Sequence, residues 1–205
     1  MHRASRRSSP ASSPWQFDPV KLAGHECDAW VGYYRRDWRL VLTAAVGMVR
    51  EGFGMPWPQT LYGAWLVLRG NQVWAPYPDN DPDAARAWMR RFYALVARAH
   101  RLSIDPALAA RLEVDWWHEH RVLQRERTDD DEAGLVAALA RLYSYVYGRP
   151  ERDVVDAAVH RARAMRVSDA WVADGCDPAD PRVAQERRAL VASYAALLDA
   201  VGTTA

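Results

Sequence analysis

A chain of 205 residues, 50% of them hydrophobic, is long enough to bury one sizeable core, which excludes disorder of the whole and points to one domain with a short tail. The 27 Lys and Arg against 26 Asp and Glu leave a formal charge of +1, so overall charge gives no case for nucleic acid or an anionic membrane as partner. The basic residues are nearly all Arg, with Lys21 the single lysine, a bias that fits a GC-rich genome better than phosphate recognition.

No apolar run is long enough to span a bilayer. Cys27 and Cys176 lie far apart without a CxxC pair, which argues against a disulfide framework and a zinc knuckle and fits a reducing cytoplasm. The run Met1 to Pro10 holds a twin arginine, but no apolar stretch follows before Pro14. Residues 1–14 therefore read as a disordered basic tail and not a secretory signal. Residues 15–205 read as the helical domain.

In chain order, Asp18-Pro19 opens the first helix as N-cap and first-turn proline. Its spacing puts Leu22, Ala29, Trp30 and Tyr33 on one face, with Glu26 in the middle of that face. A second helix from about Trp38 to Arg50 turns Leu42, Ala45, Val46 and Val49 inward and ends at the Gly52-Phe-Gly54-Met-Pro56-Trp-Pro58 cluster. From about Pro58 to Trp74, the repeat of Leu61, Tyr62, Trp65, Leu68 and Val73 predicts a third helix whose apolar sector also contains Arg69 and Gln72, which makes Arg69 the natural counter-ion for Glu26. The turn before Asp81-Pro82 caps a fourth helix carrying Trp88, Met89, Phe92, Tyr93, Leu95 and Val96. Asp105-Pro106 starts a fifth that runs to about Arg127, followed by the acidic linker Asp129 to Glu132, helices marked by Leu135 to Val146 and by Val154 to Trp171, and a last one from Pro181 to Val201. Sustained period-2 alternation is absent, as are internal repeats and a Gly-rich phosphate loop. The fold class is all-α, a single-domain helical bundle of about seven or eight helices.

The chemistry-bearing stretch is Glu113-Val-Asp-Trp-Trp-His-Glu-His-Arg121. Placing Leu108, Leu112, Trp116 and Leu123 toward the core puts Glu119 in the same sector and Glu113 and His120 on its border, while His118 points outward. Two readings follow. In one, Glu26, Arg69, Glu113, Trp116, Glu119 and His120 form a buried polar cluster or ligand pocket, with Glu26 paired to Arg69 and the acids bonded to Tyr33, Tyr93 and indole N–H groups, because an inward acid beside an inward arginine is what such a core requires. In the other, Glu26, Glu113, Glu119 and His120, with His100 as a further candidate, form an interhelical di-metal carboxylate site for iron or manganese. The chain lacks the Glu-x-x-His pairs usual in such sites, and no Gly-x-Ser-x-Gly setting supports a nucleophile. Whether the chain is an enzyme stays open.

The motifs Glu26-x-x-x-Trp30-x-x-Tyr33-Tyr34 and Glu113-x-x-Trp116-Trp117-x-x-His120-Arg121 resemble those of an uncharacterised all-helical protein family of high-GC bacteria, over about Phe17 to Val201. That family carries no assigned activity, cofactor or partner, so the resemblance transfers no functional residue. The expected role is binding, either of a small apolar or aromatic ligand between helices or of a helical protein partner, with no resident cofactor. A metal-dependent oxidase is the alternative.

Overall fold

A computed structural model describes residues 15–126 and 132–202; the tail 1–14 and Asp129 to Asp131 of the acidic run lie outside the described residues. Among the described residues there are eight helices and no strand: α1 (Pro19–Arg35), α2 (Trp38–Phe53), α3 (Trp57–Trp74), α4 (Pro82–His100), α5 (Pro106–Glu126), α6 (Ala133–Tyr147), α7 (Glu151–Ala173) and α8 (Pro181–Gly202). Each packs on its neighbours in sequence and α8 returns to α1. The chain thus closes a ring of helices around a shared core, the all-α single-domain bundle that the helical periodicity predicts.

Several helix starts follow from short polar side chains that accept otherwise unpaired N–H groups. Asp18 accepts from Val20 and Lys21 ahead of α1, Asp37 from Leu40 ahead of α2, and Asp81 from Ala84 ahead of α4. Two caps are followed directly by Pro19 and Pro82, whose fixed φ suits the first turn and whose missing N–H costs nothing there. Gly54 ends α2 in the left-handed conformation, φ 56°, which a residue without a Cβ adopts at little cost.

α3 is assembled opposite to the expected way round. Leu61, Tyr62 and Trp65 are 54%, 46% and 46% exposed, while Thr60, Gly63, Ala64, Leu66, Gly70 and Trp74 face the core. Advancing 100° per residue, the two sets occupy opposite arcs. The small residues explain which arc went inside. A Cβ at Gly63 would meet Val49 Cγ1 at 3.2 Å and Met55 Cε and Phe92 Cε2 at 3.4 Å, and one at Gly70 would meet Met89 Sδ at 3.3 Å, so α3 lies so close to α2 and α4 that any side chain there would crowd its neighbours. Leu42 of α2, expected inward, is likewise exposed at 55%, and Tyr33 of α1 at 41%.

A side chain at Gly63 has no space to enter. The Gly63→Leu variant should lose about 1–3 kcal/mol from overpacking, despite leucine's better helix propensity, read as a lower urea midpoint at unchanged slope.

Candidate functional site

The interior is organised around a guanidinium. Arg161 of α7 donates from Nη2 to Glu26 Oε1 of α1 at 2.6 Å, donates from Nη1 to Tyr143 Oη of α6 at 3.0 Å, and lies over the Trp116 ring of α5, 5.2 Å from its centroid. Tyr194 of α8 donates to the other Glu26 oxygen. Glu26 is 1% exposed, so the ion pair sits where the mutual attraction is little screened. Burial works against the Arg161 charge, yet Glu26 and the adjoining tyrosines outweigh it and hold the guanidinium protonated well above its ordinary range. The same burial, with Glu26 beside it, pushes the Tyr194 hydroxyl well up, so that it remains a donor.

Two further carboxyls lie near this pair. Glu113 of α5 accepts from Tyr93 Oη of α4 at 2.6 Å and from the Trp117 indole N–H at 3.2 Å. Burial raises its pKa, against these hydrogen bonds and the field of Arg161. Glu186 of α8 is 2% exposed, and neither its Oε2 nor the Oγ of the nearby Ser168 has a hydrogen-bond partner. Burial first, and then the negative charge of Glu26, push its pKa up to about 8. Glu186 is thus held mostly protonated at neutral pH, because burial and the Glu26 charge outweigh the opposing field of Arg187.

The residues expected to form one cluster divide between several places. Glu26 and Trp116 do meet, through Arg161, and Glu113 feels the same guanidinium. Arg69 does not join them: it donates to Gln72 at 2.5 Å and lies 5.4 Å from the Trp88 centroid on the outer side of the bundle. The proposed counter-ion is therefore corrected from Arg69 to Arg161. The reason is the inverted burial of α3, whose outer arc holds Trp57, Leu61, Tyr62 and Trp65 together with Arg69. Glu119 turns toward Gly134 at the start of α6, its Oε2 3.0 Å from where a Cβ would stand. His120 Nε2 donates to Asp169 Oδ2 at 3.1 Å, and Gln124 donates to Asp169 Oδ1 at 2.8 Å. His100 leans on Trp15, with ring centroids 5.8 Å apart. Among the described residues no group of three or more His, Cys, Asp and Glu is placed to hold a metal ion, so the four side chains of the di-metal alternative go to separate partners.

Arg161 and Glu186 are the residues that the sequence reading passed over, although the signal was present. Projected on its helix, Arg161 falls between Ala157, Ala158, Met165 and Ser168, and Glu186 falls between Leu190, Ser193 and Leu197. Each is a charged residue at the centre of an apolar stripe.

A second arrangement lies on the outside. Trp57, Leu61 and Trp65 follow one another at four-residue steps along α3, with Tyr62 stacked on Trp65 (5.7 Å between centroids, 20° between planes) and Trp88 of α4 edge-on to it at 5.2 Å. Trp57 is 58% exposed. Arginines edge this surface: Arg50 lies 5.1 Å from the Trp57 centroid, and Arg69 and Arg91 lie 5.4 and 4.5 Å from that of Trp88. Comparison of the chain with protein-family models, with curated proteins and with solved structures yields no match.

Removing either member of the buried pair leaves the other charge alone in the core. Glu26→Ala and Arg161→Ala should each cost about 3–5 kcal/mol, and the double variant much less than their sum, a coupling that a denaturation cycle measures directly. Additive losses would show that the pair is not a unit. Glu186 makes a prediction of opposite sign. Its pKa is raised on folding, so the native state holds a proton that the unfolded chain has lost, and stability falls as pH rises from near its ordinary value of 4.5 to about 8. Glu186→Gln removes this loss: its advantage in Tm over the parent should grow from about pH 5 to about pH 9, and a pH-independent difference would refute the assignment.

Proposed function

We propose that this chain is a binding domain that docks a helical segment of a protein partner on the outer face of α3. The observation that carries this reading is the exposed row of Trp57, Leu61, Tyr62 and Trp65. A helix that is apolar on all sides is normally buried on all sides, and α3 is covered on one arc only. Contiguous apolar surface of this kind marks interaction sites. Its composition is that of interface anchors, in which Trp, Tyr and Arg carry most of the binding energy. Anchors at four-residue steps also match the spacing of a helix laid alongside.

A small apolar ligand between the helices has less support. The space around Arg161 is filled by Glu26, Trp116, Tyr143 and Tyr194, and the surface depressions along Pro178 to Val191 and between Arg90 and Ala107 are lined by no residue of that cluster. No helix is long and apolar enough to cross a membrane among the described residues. A reducing bacterial cytoplasm is the proposed location, supported by two unbridged cysteines, Cys27 and Cys176, and by the preference for Arg over Lys.

Leu61→Glu and Trp65→Glu put charge on the face without entering the core, so each should hold its folding stability within about 1 kcal/mol of the parent. Both should lose the partner that co-purifies with the parent chain from its source cells, with affinity falling at least about tenfold by calorimetry. Retention of that partner at undiminished affinity by both variants would remove the basis of the proposal.

A further inference from the structure

We infer that the partner segment is an acidic amphipathic helix, whose carboxylates pair with Arg50, Arg69 and Arg91 while its apolar side covers Trp57, Leu61 and Trp65. This rests on the docking reading and adds the chemistry of the occupant. The first support is the distribution of charge around the face. α3 contains no Asp or Glu, and the one acid of α2, Glu51, accepts from the Asp18 N–H toward α1. Asp83 of α4 is engaged by Arg86, at 3.0 Å. The surface is thus apolar with a basic edge and no carboxylate of its own.

The second support is the state of the three arginines. Among the described residues none of them pairs with a carboxylate: Arg50 donates to the Met55 carbonyl, Arg69 donates to Gln72, and Arg91 lies over Trp88. An indole against a guanidinium leaves free the N–H groups beyond those that Arg50 and Arg69 give to Met55 and Gln72, and these can still bind a carboxylate. Inside the same protein, that arrangement is completed. Arg161 lies over Trp116 and donates to Glu26. At the surface the indole and the guanidinium are present and the carboxylate is not, so a partner that supplies it reproduces a combination this fold already uses.

A second copy of this chain would set arginine against arginine across a two-fold axis, which like-charge repulsion disfavours. An anionic bilayer would be drawn by these same few arginines at about 1 kcal/mol each, but a net charge of +1 provides little long-range attraction to hold the whole domain there.

The test uses the full chain and two fluorescein-labelled synthetic peptides of about four helical turns. They share one leucine and phenylalanine face and differ only in carrying glutamate or lysine on its flanks. Fluorescence anisotropy should give the glutamate peptide about tenfold tighter binding than the lysine peptide, weakening with added salt. The Arg50→Ser/Arg69→Ser/Arg91→Ser variant should bring the two peptides to within about threefold of each other, with its melting temperature confirming the fold. The Leu61→Ser/Trp65→Ser variant should lose both. Equal binding of the two peptides, or a preference that survives removal of the arginines, overturns the acidic partner; if the Leu61 and Trp65 changes still abolish binding, the docking face itself stands. Binding unaffected by those changes overturns both. Failure of the glutamate peptide to bind, or face-dependent binding to phosphatidylglycerol vesicles in place of peptide, also overturns the acidic helix, the latter assigning the face to a membrane surface.

Discussion

A guanidinium withdrawn from water is among the costlier groups a small core can hold, and here it is retained by saturating its surroundings. Glu26 opposes the charge, the Tyr143 hydroxyl accepts a second hydrogen bond, and the Trp116 ring covers a face. These contacts come from α1, α6 and α5, and Tyr194 of α8 closes the other side of Glu26. None of these helices can slide along α7 without stranding a charge or a donor, so Arg161 sets their register, which apolar packing alone leaves poorly specified. α4 is tied in one step removed, through Tyr93 and Glu113.

One buried cation also limits how many carboxylates the core can hold charged. Glu26 takes the Arg161 contact at 2.6 Å. Glu113, which shares only the field of that arginine, is satisfied by donors that need no countercharge, and its pKa rises. Glu186 has only the partial compensation of Arg187 and no hydrogen bond at Oε2, and burial with the Glu26 charge takes its pKa up to about 8.

The all-α fold was legible because caps and periodicity act locally: Asp18-Pro19, Asp81-Pro82 and Gly54 mark helix ends whatever the helices pack against. Which arc of a helix faces inward is a tertiary matter, and it is legible only where apolar size and burial coincide. On α8 they coincide, and although α7 buries alanines and exposes Val155 and Val159, a helical projection puts Arg161 and Glu186 among buried neighbours. On α3 they part, because Gly63, Ala64 and Gly70 give closer backbone approach than Trp57, Leu61 or Trp65 could. Ranking α3 by apolar size selected its solvent side and made Arg69 a core residue. The Glu113 to Arg121 stretch shows the same limit: Trp116 and Glu113 reach the Arg161 region, whereas Glu119 and His120 diverge toward α6 and α7 because these neighbours, which a single helix cannot specify, supply Gly134 and Asp169.

The two halves of the ring are held by different means, and this bears on what the molecule does. The helices α1, α5, α6, α7 and α8 are pinned by hydrogen-bonded charge, an interaction that is strong only while water is excluded. α2 and α3 contribute no side chain to that network, and their packing rests on apolar contact through small residues. The exposed aromatic row lies on this second part, so a partner can cover Trp57, Leu61 and Trp65 without approaching the buried pair or disturbing its register. The Arg–Trp pairing of the interior recurs on that surface without a carboxylate, and in the proposed complex the opposing acid would come from the bound helix, as Glu26 of α1 provides it for Arg161 within the core.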